Sequence, residues 1–266
     1  MKKELSDLIY MLNDPRLSKA DVIMWGSPII SFGNVSNSKI ATLGLNPSNR
    51  EFVDVNGKEL EGNKRRFHTL QSLGIKKWSE ISEKHLNKIK EFCEEYFLRN
   101  PYDEWFKKLD YIISGTSMSY YFPSGEACHL DLIPYATASK WTELSYSQKR
   151  ILLDLTIEVL GKLIKNSEIT ILILNGQTVV DNLEKVAGIK LKKSLMKSWT
   201  LPRKDTMGVQ GFSYTGTINN IGGINFKREV SVLGFNHNIQ SSYGVTSEVH
   251  LSIRKWVTNK AKEILE

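Results

Sequence analysis

Residues 40–52 read IATLGLNPSNREF. The first half has the form of a strand buried on both faces, because Ile40, Ala41, Leu43 and Leu45 leave almost no polar alternation. The second half, Gly44-Leu45-Asn46-Pro47-Ser48, breaks it. Pro47 has no N–H for a ladder, and Gly, Asn and Ser favour turns. Three further segments repeat the form: ACHLDLIPY from Ala127, ITILILNGQ from Ile169 and VSVLGFNHN from Val230.

Helical patterns separate these four runs. In residues 145–166, Ile151, Leu152, Leu155, Val159, Leu160, Leu163 and Ile164 fall on one face, with Ser145 or Ser147 as N-cap. Residues 177–188, QTVVDNLEKVAG, form a helix closed by Gly188. Residues 247–266 form a final amphipathic helix, and helical segments are expected near Ser82–Leu98 and Tyr102–Ile113. The start, MKKELSDLIYMLND, reads as an amphipathic helix within residues 1–20 rather than a signal peptide. Residues 53–74 read as irregular, and residues 207–226 as a loop or hairpin before the last strand.

Strands alternating with helices point to parallel βαβ units. The expected fold is α/β: one domain over residues 1–266, its core at about 39–266, with a mostly parallel four-stranded sheet carrying helices on both faces. In such a sheet ligands bind beyond the carboxyl ends of the strands. The four polar tips then share one edge: Asn46-Pro47-Ser48, Asp131, Asn175-Gly176-Gln177 and Asn236-His237-Asn238.

Composition narrows the function classes. No run of about eighteen apolar residues appears, so no membrane span is expected. Cys93 and Cys128 are the two cysteines, too few for a disulfide framework or for an iron–sulfur cluster held by four thiolates. They read as structural thiols of a cytoplasmic protein. The net charge of +7 permits an anionic partner such as nucleic acid, and equally reflects a lysine-rich proteome. The chain carries no Walker loop, GxGxxG, GxSxG, HExxH or CxxC. His68, His85, His129, His237 and His250 show no zinc-ligand spacing; His129 adjoins Cys128, but neighbours on a strand point to opposite faces. No metal or cofactor is expected. Of the five, His237 lies at a strand tip.

In order and spacing the tips resemble the motifs of the uracil-DNA glycosylase superfamily. Gly44-Leu45-Asn46-Pro47-Ser48 resembles its first motif, Gly-x-Asp/Asn-Pro after a strand, and residues 233–242, LGFNHNIQSS, resemble its last, a His-Pro-Ser-like loop. Asp131 stands where the family carries a base-reading Asn, and ILILNGQTVVDNL matches its further strand–Gly–helix step. The resemblance implies an enzyme that flips a nucleotide out of DNA and hydrolyses its N-glycosidic bond, acting as a monomer. Asn46 would position the water, and His237 would donate to the departing base's carbonyl oxygen. Phe52 or Phe67 would stack on the base. Ser48, Asn238, Ser241 and Ser242 would contact DNA, and Ile239, Gln240 or Tyr243 would wedge into the duplex.

Two departures bear on substrate. Asn238 and Ile239 stand where Pro-Ser would follow the histidine. Asp131, unlike Asn, accepts from an exocyclic amine such as cytosine N4, and its protonated form would also donate to N3. A cytosine-type base is therefore expected. Removing ordinary cytosine would be toxic, so a modification such as glucosylated hydroxymethylcytosine in phage DNA is the expected gate, with Gly208–Asn225 as a sugar-accepting wall. The alternatives are a repair glycosylase for uracil or mismatched bases, and a catalytically inactive DNA-binding module.

Overall fold

The structure is a computed structural model that describes residues 1–100, 104–204 and 208–266. The expected helix start at Tyr102, and Met207, lie outside the described residues.

The chain begins with two helices, α1 (Lys2–Met11) and α2 (Pro15–Lys19), where one was expected. Asp14 divides them: its carboxylate caps the backbone N–H of Arg16, and Pro15 occupies the first turn, where its missing N–H costs nothing. Strand β1 (Ile40–Gly44) follows, then helices α3 (Leu70–Leu73), α4 (Glu83–Glu94), α5 (Tyr96–Arg99) and α6 (Glu104–Ile113). The remainder runs β2 (Ala127–Asp131), α7 (Tyr146–Lys165), β3 (Ile171–Asn175), α8 (Gln177–Ala187), β4 (Lys192–Leu195), β5 (Phe212–Ile221), β6 (Ile224–Phe235) and α9 (Ser247–Leu265).

The helix ends follow local chemistry. Ser145 is the cap of α7, exchanging bonds with Gln148 in a capping box. The α7 stripe is narrower than expected: Leu152, Val159, Leu160, Leu163 and Ile164 are buried, while Ile151 and Leu155 are half-buried. Gly188 ends α8 at φ 66°, a left-handed position that favours glycine.

Among the described residues the sheet has six strands, in the order β2-β1-β3-β6-β5-β4. Four of them, β2, β1, β3 and β6, are parallel. This core corresponds to the four apolar runs, and every residue of β3 is buried, as expected for a strand covered on both faces. The expectation of four strands is corrected by β5 and β4, an antiparallel extension beside β6. β5 and β6 form a long hairpin whose two-residue turn, Gly222-Gly223, has φ 57° and 80°. β4, with Lys192 and Lys193, is a short polar edge; it lacks the apolar run by which strands are recognised, and such edges resist further pairing.

The core extends beyond the sheet. Leu5, Leu8 and Leu17 near the N-terminus are fully buried, as are Ile40, Leu43 and the β3 residues Ile171 to Leu174. No helix among the described residues is long and apolar enough to cross a membrane.

Candidate functional site

The register fixes what the strand tips can share. Gly44 pairs with Asp131 across β1 and β2, and Asn175 pairs with Phe235 across β3 and β6. The carboxyl ends of all four parallel strands therefore lie along one edge.

The loop after β1 is clamped to the loop after β2. Asn46 Nδ2 donates to Thr137 Oγ1 at 2.9 Å and to its neighbour Pro47 O at 3.2 Å. Thr137 in turn spends its only proton on Ser139 O, at 2.7 Å. Its oxygen can then only accept from Asn46, so the NH₂ end of the amide faces Thr137. The opposite end, Oδ1, has no protein partner among the described residues and is oriented as an acceptor. Asn49 Nδ2 adds a second side-chain tie between the loops, to Ala138 O at 3.0 Å. Ser48 is exposed; its hydroxyl caps the Arg50 N–H at 3.1 Å.

Asp131 lies over the end of β1. A Cβ on Gly44 would sit 2.3 Å from Asp131 Oδ1 and 2.9 Å from His129 Nε2, so glycine is required here for close approach rather than for its dihedral range. His129 and Asp131 are two apart on one strand and share a face. Nε2 and Oδ1 are 3.4 Å apart, and on the other side of the ring Nδ1 is 2.7 Å from Thr42 Oγ1. Thr42 also bonds the Tyr120 hydroxyl. Burial holds that hydroxyl's pKa well above the ordinary tyrosine value. His129 was set aside at the sequence level because it lacks a zinc partner. The signal that finds it is its spacing of two from Asp131 within HLD.

Phe52 and Phe67 are buried, at 2% and 1% exposure. They belong to an aromatic cluster: Phe67 stacks on Tyr96 at 5.3 Å and meets Phe32 edge-on, and Phe32 reaches His129. The edge of half-exposed Trp25 covers Phe52 at 5.9 Å. Neither phenylalanine presents an open face in this conformation.

The last loop is held by Asn175, whose site role the sequence did not show. Its Nδ2 donates to Gln240 Oε1 at 2.7 Å and to Asn238 Oδ1 at 3.3 Å, and its Oδ1 accepts from Ile239 N at 3.0 Å. Asn238 Oδ1 further accepts from Gln240 N and Ser241 N, a side-chain turn that shapes the loop from within. Gln240 is tied on both ends, since its Nε2 donates to Trp105 O. Of the three wedge candidates, Ile239 is buried and Gln240 is engaged, while Tyr243 is 83% exposed. Arg203 stands 5.1 Å from the Tyr243 ring centre and donates to its carbonyl. Ser241 is exposed and Ser242 half-buried.

His237 is buried, and its Nε2–H donates to Trp199 O at 2.8 Å. Desolvation lowers its pKa, which favours the neutral ring. It borders a cavity of about 720 Å³ whose walls include Gln177, Lys193, Arg203, Phe212 and Tyr243. Asn46 and Asp131 are not part of that wall. The tips thus form two groups: Asn46, Asp131 and Thr137 over β1 and β2, and Asn175, His237 and the last loop over β3 and β6. The sugar-wall segment Gly208–Asn225 contributes Gly208, Val209, Gln210 and Phe212 to the cavity, and its remainder is the β5–β6 hairpin.

Among the described residues no group of three His, Cys, Asp or Glu could hold a metal ion. Cys93 and Cys128 are free and buried, and burial pushes their thiols up to about 11 and about 12. The chain matches no protein-family model and no curated protein sequence.

Proposed function

We propose that the chain is a DNA glycosylase that flips a base and hydrolyses its N-glycosidic bond. The base we assign is a modified cytosine such as glucosylated hydroxymethylcytosine, with phage defence as the setting. The observation that carries this reading is the amide of Asn46, which Thr137 turns so that its carbonyl oxygen is an unshared acceptor beside the Asp131 tip. An acceptor there would bind one proton of a water and aim the oxygen's lone pair at the sugar C1′. The water–C1′ bond forms as the glycosidic bond breaks, its electrons leave with the base, and the water's lost proton ends on the departing base. An amide takes up no proton, so stabilisation of the leaving base supplies most of the acceleration. For His237 to give that stabilisation, its Nε2–H must exchange the Trp199 carbonyl for the base oxygen.

Oligonucleotides carrying one glucosylated 5-hydroxymethylcytosine, uracil, mismatched thymine or plain cytosine test this, as single strands and as duplexes. The readouts are alkaline strand cleavage and mass spectrometry of the freed base. Release of the modified cytosine, lost in Asn46→Ala, is the expected result; no release from any of them refutes the activity. The His237–Trp199 bond favours a second reading, an inactive DNA-binding module, which those substrates would show as binding without release.

A further inference from the structure

We infer that His129, held by Thr42 and Tyr120, fixes Asp131 as a one-oxygen acceptor, so that the base it reads must present an exocyclic amine. The inference rests on the glycosylase reading and deepens it by a positioning residue for the base reader.

Strand geometry assembles the relay. Thr42 is the register partner of His129, and Gly44 that of Asp131, so period-two alternation puts all four on one face. The absent side chain at Gly44 is what lets the imidazole and the carboxylate cover the end of β1. Behind them Tyr120, at 4% exposure, and Thr42, at 0%, leave His129 Nδ1 facing a hydroxyl rather than water.

Proton bookkeeping then runs in one direction. We take Tyr120 as donor to Thr42 Oγ1, the order that leaves no buried hydroxyl proton without an acceptor; Thr42 then donates to His129 Nδ1, and the ring's remaining proton is on Nε2, 3.4 Å from Asp131 Oδ1. His129 is the only side-chain partner of Asp131 among the described residues. Oδ1 therefore faces the imidazole at 3.4 Å, and Oδ2 has no protein partner among the described residues, in a side chain that is 5% exposed. An acceptor meets a 4-amino group favourably and a 4-oxo group with repulsion. With Oδ2 against position 4 of the base, the site favours cytosine-type bases over uracil- and thymine-type bases.

Two oligonucleotides isolate the effect, carrying glucosylated 5-hydroxymethylcytosine or glucosylated 5-hydroxymethyluracil and differing only in the 4-amino or 4-oxo group and the N3 proton that accompanies the latter. Wild type is expected to release the amino base at least tenfold faster. His129→Leu and the near-isosteric Thr42→Val are both expected to narrow that ratio, as Asp131 loses the imidazole that positions it, while their melting temperatures identify any loss of fold. A folded variant of either kind that keeps the full ratio overturns the inference and leaves the glycosylase reading standing. A second readout needs no DNA: in ¹⁵N spectra of histidine-labelled protein, His129 should be the Nε2–H tautomer with Nδ1 as acceptor. The Nδ1–H tautomer overturns the relay even if no base is ever released.

Discussion

Gly44→Ala adds one carbon at the point where β1 meets the proposed base reader. The backbone tolerates it, because Gly44 is not among the glycines with positive φ. The obstacle is local: the new Cβ would lie 2.3 Å from Asp131 Oδ1, and reaching even 3.0 Å moves the carboxylate by about 0.7 Å. The colliding atoms end movable side chains, so the stability cost sits at the low end for overpacking, about 1–2 kcal/mol. In a chain of this size that is a fall of about 2–8 °C in melting temperature. The cost to recognition is larger. A base amine bonded to Asp131 at about 2.9 Å would be left at about 3.6 Å, no longer a hydrogen bond. Losing a charge-assisted bond costs about 1.5–3 kcal/mol, or roughly 10- to 150-fold in kcat/KM. The assay is single-turnover release of glucosylated 5-hydroxymethylcytosine beside thermal melting. Gly234→Ala is the control, because its Cβ would crowd only Leu174, Tyr214 and Val180, at 3.3 Å. A folded Gly44→Ala protein with kcat/KM within twofold of wild type would falsify the placement of Asp131 in base recognition.

Three further outcomes are expected. Thr137→Val removes the acceptor that orients Asn46, so base release should fall roughly tenfold with little change in DNA affinity, read by rapid-quench and binding assays. Arg228→Ala leaves the carbonyls of Ile164, Ser167 and Ile169 without their guanidinium donor after α7, which should cost about 2–3 kcal/mol in urea unfolding. His68 is buried against Phe92 with Nε2 unpaired, and desolvation lowers its pKa from 6.5 to about 4. The unfolded chain therefore takes the proton first as pH falls. Its contribution is intact above about pH 6.5 and is lost progressively down to about pH 4. After discounting for screening, His68→Leu should reduce the stability lost across that window by about 2 kcal/mol in pH-dependent melts.

The sequence by itself determined the parallel core. Ile40–Gly44, Ala127–Asp131, Ile171–Asn175 and the end of Ile224–Phe235 are runs whose burial on both faces is written in their composition. The helices between them carry their own caps, at Ser82, Ser145 and Gly188. It did not determine β4, and it left residues 207–226 open between a loop and a hairpin, because a polar edge strand and a Gly/Asn-rich hairpin are stabilised by the neighbour they pair with. The same division holds at the site. Asn46, Asp131 and His237 were legible as polar residues ending apolar runs. What each atom is bonded to was not: Thr137 turns Asn46, Trp199 holds His237, and His129 reaches Asp131 across a glycine. Those bonds join residues 38 and 91 positions apart, or depend on a register between strands 87 residues apart. Local pattern carries no information at that range; only the closed sheet brings these groups within 3.4 Å of one another.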